Sequence, residues 1–121
     1  MIFIKTKVNI TDNSGGKLGE CIRVFGSKYE NAFLSDSIVI AVKKAIAKKK
    51  VKLHDVRIGI IVRMGRKTYR QNGITINFSD NAVVLLDKRN DLAANRIFGP
   101  VASELITNKY NKIIFLAPSI I

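Results

Sequence analysis

Apolar and polar residues alternate in short runs along the first 87 positions of this 121-residue chain. In "SIVIAVKKAI", an extended backbone puts Ile38, Ile40 and Val42 on one side, whereas a helix would have no single apolar face. "VRIGIIVR" repeats the pattern and predicts four apolar residues facing inward and two arginines facing outward: Val56, Ile58, Ile60 and Val62, with Arg57 and Arg63. Both stretches therefore predict β-strands.

Turn-forming residues separate these strands. "TDNSGG" predicts a turn over residues 11–16, and Asn72–Gly73 predicts a type I′ hairpin that places Ile74, Ile76 and Phe78 against the core. "NAVVLLD" predicts one more buried strand. "FIKTKVNI" and "ECIRVF", nearer the start of the chain, also predict strands. Six short β-segments separated by turns are typical of a small closed barrel.

The pattern changes after Asp87. A Gly99–Pro100 break is followed by "ASELITNKY", in which Ser103 is suited to cap a short helix. We therefore predict a mainly β fold in a single domain, residues 1–121. A β-barrel occupies residues 1–87, and residues 88–121 form a short, mostly helical C-terminal part.

Charge points to the class of partner. Twenty-one basic residues against nine acidic ones give a net charge of +12, and such an excess usually serves an anionic partner. Nucleic acid is the first candidate, and an anionic membrane surface is the second. No apolar run approaches the ~20 residues that a membrane span requires.

The residues offer little material for catalysis. Cys21 and His54 are the single cysteine and the single histidine of the chain, so a disulfide, most metal sites and a nucleophilic triad are not expected. Cys21 is expected to pack as a small apolar residue. The aspartates lie at strand ends and turns, where backbone geometry alone favours them. We expect neither an enzyme nor a cofactor.

The basic residues concentrate in two segments. "KKAIAKKKVK" carries six lysines between Lys43 and Lys52. Because strand patterns lie on both sides of it, we predict a loop that contacts phosphates rather than a membrane helix or a disordered tail. A solvated loop without a partner is the alternative. A second basic segment, Arg63–Arg70, approaches the hairpin, and we expect both segments to protrude from one side of the barrel. The predicted phosphate-binding residues are Lys43, Lys44, Lys48, Lys49, Lys50, Lys52, Arg63, Arg66, Lys67 and Arg70. Tyr69 either stacks on an unpaired base or belongs to the hairpin face.

The order of motifs resembles a known family. "VNITDNSGG", "DVRIGIIVR", "NGITINFSDNAVVLL", "NRIFGPVASEL" and "KIIFLAPSII" are similar to successive blocks of large-subunit ribosomal protein fourteen, and the resemblance extends from Ile2 to Ile121. It implies a five-stranded β-barrel that binds large-subunit rRNA. It also implies bridges to small-subunit rRNA, contact with large-subunit protein nineteen in bacterial-type ribosomes, and a site for a ribosome-silencing factor.

The resemblance also assigns individual positions. It places the intersubunit or partner surface in the C-terminal part, at Arg96, Phe98, Lys109 and Lys112. The chain departs from the family pattern in having Ala47 for proline and His54 for glycine, which predicts a different path for the lysine loop. Gln71–Asn72–Gly73 replaces a Pro-Asp-Gly turn. Ala102–Ser103 replaces a pair that usually contains arginine, which weakens the transfer of the silencing-factor site.

The compartment and two other functions stay open at this point. An abundance of Ile, Lys and Asn suits an AT-rich gene, and the family motif begins close to Met1 without a presequence. These features favour the mitochondrial matrix, with the bacterial cytoplasm or a plastid as alternatives. The other functions are a free-standing chaperone or binder of single-stranded nucleic acid, and a membrane-surface protein.

Overall fold

A computed structural model describes residues 2–25, 31–107 and 110–121. Nine strands and two helices lie within these ranges. The strands are β1 (Ile2–Phe3), β2 (Lys7–Ile10), β3 (Gly16–Val24), β4 (Asn31–Ala32), β5 (Ser37–Ala45), β6 (Val56–Arg63), β7 (Thr68–Tyr69), β8 (Thr75–Ile76) and β9 (Ala82–Leu85). The helices are α1 (Glu104–Thr107) and α2 (Asn111–Leu116).

Five of the described strands close into a barrel in the order β2-β3-β5-β6-β9. Neighbouring strands are antiparallel except β2 and β9, which are parallel and complete the ring. The long strand β3 shifts register against β5 at three points, and such bulges bend a strand enough to close a small barrel. The predicted mainly β, five-stranded barrel is confirmed.

The barrel is filled by one apolar side of each strand. Side chains at alternate positions are buried together: Val8, Ile10, Cys21, Ile38, Ile40, Val42, Ile61, Val83 and Leu85. Cys21 is buried among them, and this burial raises the pKa of its thiol. The side chain thus packs as a small apolar residue, as the sequence predicted.

A second apolar cluster lies outside the barrel wall. Ile60, Val62 and Val84 are buried there against the C-terminal segment, which contributes residues such as Leu105 and Ile113. Strand β9 is therefore buried on both faces, which explains why its sequence is apolar throughout. The prediction that Val56 faces inward is wrong, since it lies at the start of β6 and is 61% exposed.

The C-terminal segment combines extended and helical parts. Isolated bridges join Asp12 to Ile97 and Val101 to Ile120. Helix α1 begins directly after Ser103, and α2 ends two residues before Pro118. The predicted short C-terminal helical appendage is confirmed as two helices of four and six residues, while most of the described part of residues 88–121 is extended or irregular.

The hairpin of β7 and β8 forms a separate two-stranded sheet. The Gly73 N–H donates to the Arg70 carbonyl, and the Arg70 N–H donates to the Ile74 carbonyl. Gly73 has a positive φ of 83° and Asn72 does not, so the connection is a three-residue loop rather than the predicted type I′ turn. Ile74 is 53% exposed, so the prediction that it packs in the core is wrong.

The two basic segments leave opposite ends of β6. The loop of residues 46–55 joins β5 to the start of β6, whereas residues 64–81 follow the end of the same strand. The strand has eight residues and spans about 27 Å at the usual rise. The two segments therefore begin at opposite ends of the barrel, and the expectation that they protrude from one side of it is wrong.

Candidate nucleic-acid interface

The lysine loop, defined as residues 46–55, is fixed to the barrel at several points. Val51 is fully buried in the main core. The Ile46 N–H donates to the Gly15 carbonyl at 2.7 Å, and the Val51 N–H donates to the Ser14 carbonyl at 3.1 Å. The loop is therefore a defined structure with an apolar anchor, rather than a loose solvated connection.

The turn beneath the loop is itself held by a buried carboxylate. Asp12 accepts hydrogen bonds from the Ser14 N–H and hydroxyl at one oxygen, and from the Leu85 N–H at the other, at 3.0 Å. These bonds satisfy a charge that would otherwise be costly to bury. Asp12 thus joins the turn of residues 11–16 to β9, and it has a structural rather than a catalytic environment.

Two residues shape the far end of the loop. His54 has a positive φ of 69°, and its N–H donates to the Val42 carbonyl at 2.9 Å. The Asp55 carboxylate accepts from the Lys52 N–H at 3.0 Å, and this bond, with help from Arg57, lowers the pKa of Asp55. His54 therefore adopts the left-handed backbone conformation that favours glycine.

The lysines project from this framework into solvent. All six of the predicted lysines in this stretch are exposed: Lys43, Lys44, Lys48, Lys49, Lys50 and Lys52. Within the described ranges, none of the four in the loop forms an ion pair. A row of solvent-exposed cations on a fixed loop is suited to bind phosphates.

Lys17 extends this surface and was not singled out from the sequence. It is exposed on β3, between the residues that pair with Ala45 and Lys44. The C-terminal segment packs over β6 and β9, and Lys17 lies on another part of the wall. Its place beside Lys44 depends on strand register, which the sequence pattern alone does not fix.

In the second basic segment, only part of the predicted set faces solvent. Arg66 and Lys67 are exposed, and Tyr69 is 78% exposed. Arg63 and Arg70 instead bind groups of the protein itself.

The prediction that Arg63 faces outward is wrong, since this residue is only 8% exposed. Its Nε and Nη2 donate to the two carboxylate oxygens of Asp80 at 3.0 and 3.2 Å. Its Nη1 donates to the carbonyls of Phe98 and Pro100, both at 3.0 Å. These internal partners use most of the N–H donors of the guanidinium, so Arg63 is not part of the candidate surface.

Arg70 joins the hairpin to the C-terminal segment. Its Nε and Nη2 donate to the two carboxylate oxygens of Glu104 at 2.7 and 3.0 Å, and Nη2 also donates to the Ile121 carbonyl at 2.8 Å. Burial alone would raise the pKa of Glu104, but the hydrogen bonds from Arg70 outweigh it and lower this pKa. Arg70 therefore orients the hairpin, and its guanidinium is largely occupied.

Three of the four residues predicted for a partner surface lie within the described residues, and all three are exposed: Arg96, Phe98 and Lys112. The Arg96 guanidinium lies 5.7 Å from the centre of the Phe98 ring, and both side chains are exposed. Lys112 pairs with Asp91 at 3.1 Å in solvent. Lys109 lies outside the described residues.

Two of the motifs that carry the family resemblance, "DNSG" and "RIFGPV", lie in contact with each other. The Asn13 N–H donates to the Arg96 carbonyl at 3.2 Å, and the Phe98 N–H donates to the Thr11 carbonyl at 2.7 Å. The Asn13 side chain donates to Asn95 at 2.9 Å. The lysine loop and the C-terminal partner surface are thus adjacent, because the turn of residues 11–16 contacts both.

The described ranges contain no group of three or more His, Cys, Asp or Glu side chains that could hold a metal ion. None of the helices found there is long and apolar enough to cross a membrane.

Comparison with known protein families gives a match over the whole sequence. A sequence model of the family described as ribosomal protein L14p/L23e matches residues 1–121. The matched residues include the lysine loop and the "DNSG" and "RIFGPV" motifs.

Proposed function

Because the chain belongs to the ribosomal protein L14p/L23e family, whose members are structural proteins of the large ribosomal subunit, we propose that it binds large-subunit rRNA through the lysine loop. The observation that carries this proposal is the anchoring of the loop by Val51 and Gly15, which leaves Lys48, Lys49 and Lys50 free in solvent. A pre-formed loop binds phosphates with a smaller entropy cost than a flexible one. Ribosomal proteins of this kind are normally not enzymes.

The rRNA-binding surface that we propose has two parts at opposite ends of β6. The first comprises Lys17, Lys43, Lys44, Lys48, Lys49, Lys50 and Lys52. The second comprises Arg66 and Lys67. Phosphate contacts of this kind set the position of a protein on RNA and carry no base code.

We further propose that the exposed Arg96–Phe98 pair faces small-subunit rRNA and contributes to an intersubunit bridge. The pair lies beside the turn that supports the lysine loop, so one surface of the protein can serve both RNAs. A neighbouring large-subunit protein corresponding to number nineteen, and a silencing factor, are proposed partners on the basis of the family alone. The mitochondrial matrix is the proposed compartment, on the basis of composition.

The proposal is tested by neutralising the lysine loop in the full-length protein. We expect Lys48→Gln/Lys49→Gln/Lys50→Gln to weaken binding to purified large-subunit rRNA. The slope of log K against log salt should fall by about 2 to 3, as expected for three lost phosphate contacts. The matched control, Lys5→Gln/Lys7→Gln/Arg23→Gln, removes the same charge from exposed positions at the opposite end of β2 and β3 from the lysine loop.

Sedimentation of tagged protein through a sucrose gradient extends the test to whole ribosomes. The wild type should migrate with large subunits after a moderate salt wash, and the loop variant should be released at lower salt than the control. Equal salt slopes for the two triple variants would show that the lysine loop does not bind rRNA. Wild-type protein left at the top of the gradient would instead favour a free-standing nucleic-acid chaperone.

A further inference from the structure

The β7–β8 hairpin has two different faces. Thr68, Arg70 and Ile76 are half-buried toward the rest of the protein. The intervening positions are all exposed, and they bear a cation, an aromatic ring, a hydroxyl and an amide: Lys67, Tyr69, Thr75 and Asn77. Tyr69 pairs directly with Thr75 across the two strands, so their side chains lie side by side on the outer face.

The hairpin is held in place from its inner face and from its base. Arg70 binds Glu104 and the Ile121 carbonyl, as described above. At the base, the Gly65 N–H donates to the Asn81 side chain at 2.7 Å, and the Phe78 N–H donates to the Met64 carbonyl at 3.3 Å. Phe78 also packs against the main core. A ring presented on such a support loses little conformational freedom when a ligand covers it.

The electrostatics of the hairpin favour a nucleic acid over a protein ligand. Residues 64–79 contain Arg66, Lys67 and Arg70 and no acidic residue. Of these, Arg66 and Lys67 are exposed and, within the ranges that the structure describes, form no ion pair. A tyrosine that is 78% exposed beside two free cations combines stacking with phosphate neutralisation, which is how proteins bind unpaired nucleotides.

We propose that the outer face of the hairpin is a binding site for an unpaired nucleotide of RNA, with the Tyr69 ring stacked on the base. Arg66 and Lys67 contact the flanking phosphates. Thr75 and Asn77 are placed beside the ring to hydrogen bond with the base edge or a 2′-hydroxyl. This inference rests on the proposed rRNA binding and adds to it a base contact, distinct from the phosphate contacts of the lysine loop.

The absence of tryptophan from the chain allows a direct probe of the site. In Tyr69→Trp, residue 69 becomes the single tryptophan, and its fluorescence reports contact at that position. Purified large-subunit rRNA should quench this fluorescence and protect it from acrylamide. Protection that appears only when other large-subunit proteins are added would overturn the inference, because the face would then be a protein contact.

Affinity measurements separate stacking from charge. Tyr69→Ala should weaken binding to large-subunit rRNA about 5- to 150-fold, the usual range for loss of one stacked base, with an unchanged salt slope. Tyr69→Phe keeps the ring and should bind as the wild type does. Equal affinity of Tyr69→Ala and wild type would overturn the inference and leave the lysine-loop proposal intact. Failure of the wild type itself to bind rRNA would overturn both.

Discussion

Arg63 and Asp80 form a two-point ion pair that joins the end of β6 to the loop before β9, with nitrogen–oxygen distances of 3.0 and 3.2 Å. The same guanidinium donates to two carbonyls of the C-terminal segment, those of Phe98 and Pro100. One side chain thus connects the barrel, the approach to the hairpin and the partner surface. A residue that the sequence marks as a candidate RNA contact is in fact an internal connection.

Replacing Arg63 with methionine should destabilise the fold. The change leaves the Asp80 carboxylate without its cation and two carbonyls without a donor, so we expect a loss of about 2 to 4 kcal/mol in the free energy of unfolding. Urea denaturation followed by circular dichroism measures it. Arg66→Met is the control, since Arg66 is exposed, and it should change stability by less than about 0.5 kcal/mol. Similar values for the two variants would contradict the structural role.

Gly99 is required by the position of Arg63. Its φ is 79°, and a Cβ at this position would collide with the Arg63 guanidinium. Gly73 is a matched control, because its φ is 83° and a Cβ there meets nothing within 4 Å. Gly73→Ala should lower the free energy of unfolding by about 1 kcal/mol, from backbone strain alone. Gly99→Ala should lower it by more, because the collision with Arg63 adds to the strain. In the double variant Arg63→Met/Gly99→Ala, the two losses should be less than additive.

Acid should weaken both ion pairs that hold the hairpin region. Burial opposes ionisation of Asp80, but hydrogen bonds from Arg63 and Asn9 outweigh it and lower the pKa; Glu104 behaves in the same way beside Arg70. A lowered native pKa stabilises the fold above the unfolded values of about 3.9 and 4.3, and this contribution is lost as pH falls through the native values.

The free energy of unfolding should therefore decline below about pH 4. In Glu104→Gln that decline should be shallower and the stability at neutral pH lower. Urea denaturation from pH 2.5 to 7 compares the two proteins. Parallel curves would show that the Arg70–Glu104 pair contributes nothing to the acid transition.

Patterns of strand periodicity predicted the barrel correctly, because alternate residues of β5 and all four residues of β9 are buried apolar side chains. The same patterns failed at both ends of β6. At Arg63, a bulge between Ile61 and Arg63 shifts the register and turns the side chain into the protein. At Val56, the core no longer covers the strand. The patterns also could not divide the apolar residues of β6 between two cores, because that depends on where the C-terminal segment packs. For the candidate site, the sequence located the lysines. It could not show that Arg70 pairs with Glu104, which lies 34 positions away along the chain.

His54 offers a stabilising change in the lysine loop. Its φ of 69° costs a non-glycine residue about 1 kcal/mol or more, while glycine loses more entropy on folding. We expect His54→Gly to stabilise the fold by a net of about 0.5 kcal/mol. Thermal denaturation measures the change, and His54→Ala controls for loss of the imidazole, since it keeps the strain and should give no gain. An equal gain from alanine would show that the imidazole, not the backbone, is unfavourable.

Gly15 fixes the position of the lysine loop, and two substitutions can separate that position from its charge. Gly15 has a φ of 111°, and a Cβ there would collide with the side chain of Lys49. Gly15→Ala should therefore lower the free energy of unfolding by about 1 to 3 kcal/mol and displace the loop, which weakens rRNA binding while every cation remains. Lys49→Gln should leave stability within about 0.5 kcal/mol, because the side chain is exposed, and should lower the salt slope of rRNA binding by about 1. If Gly15→Ala bound rRNA as tightly as the wild type, the phosphates would be recognised by the charge of the loop alone, and its fixed shape would have no part in binding.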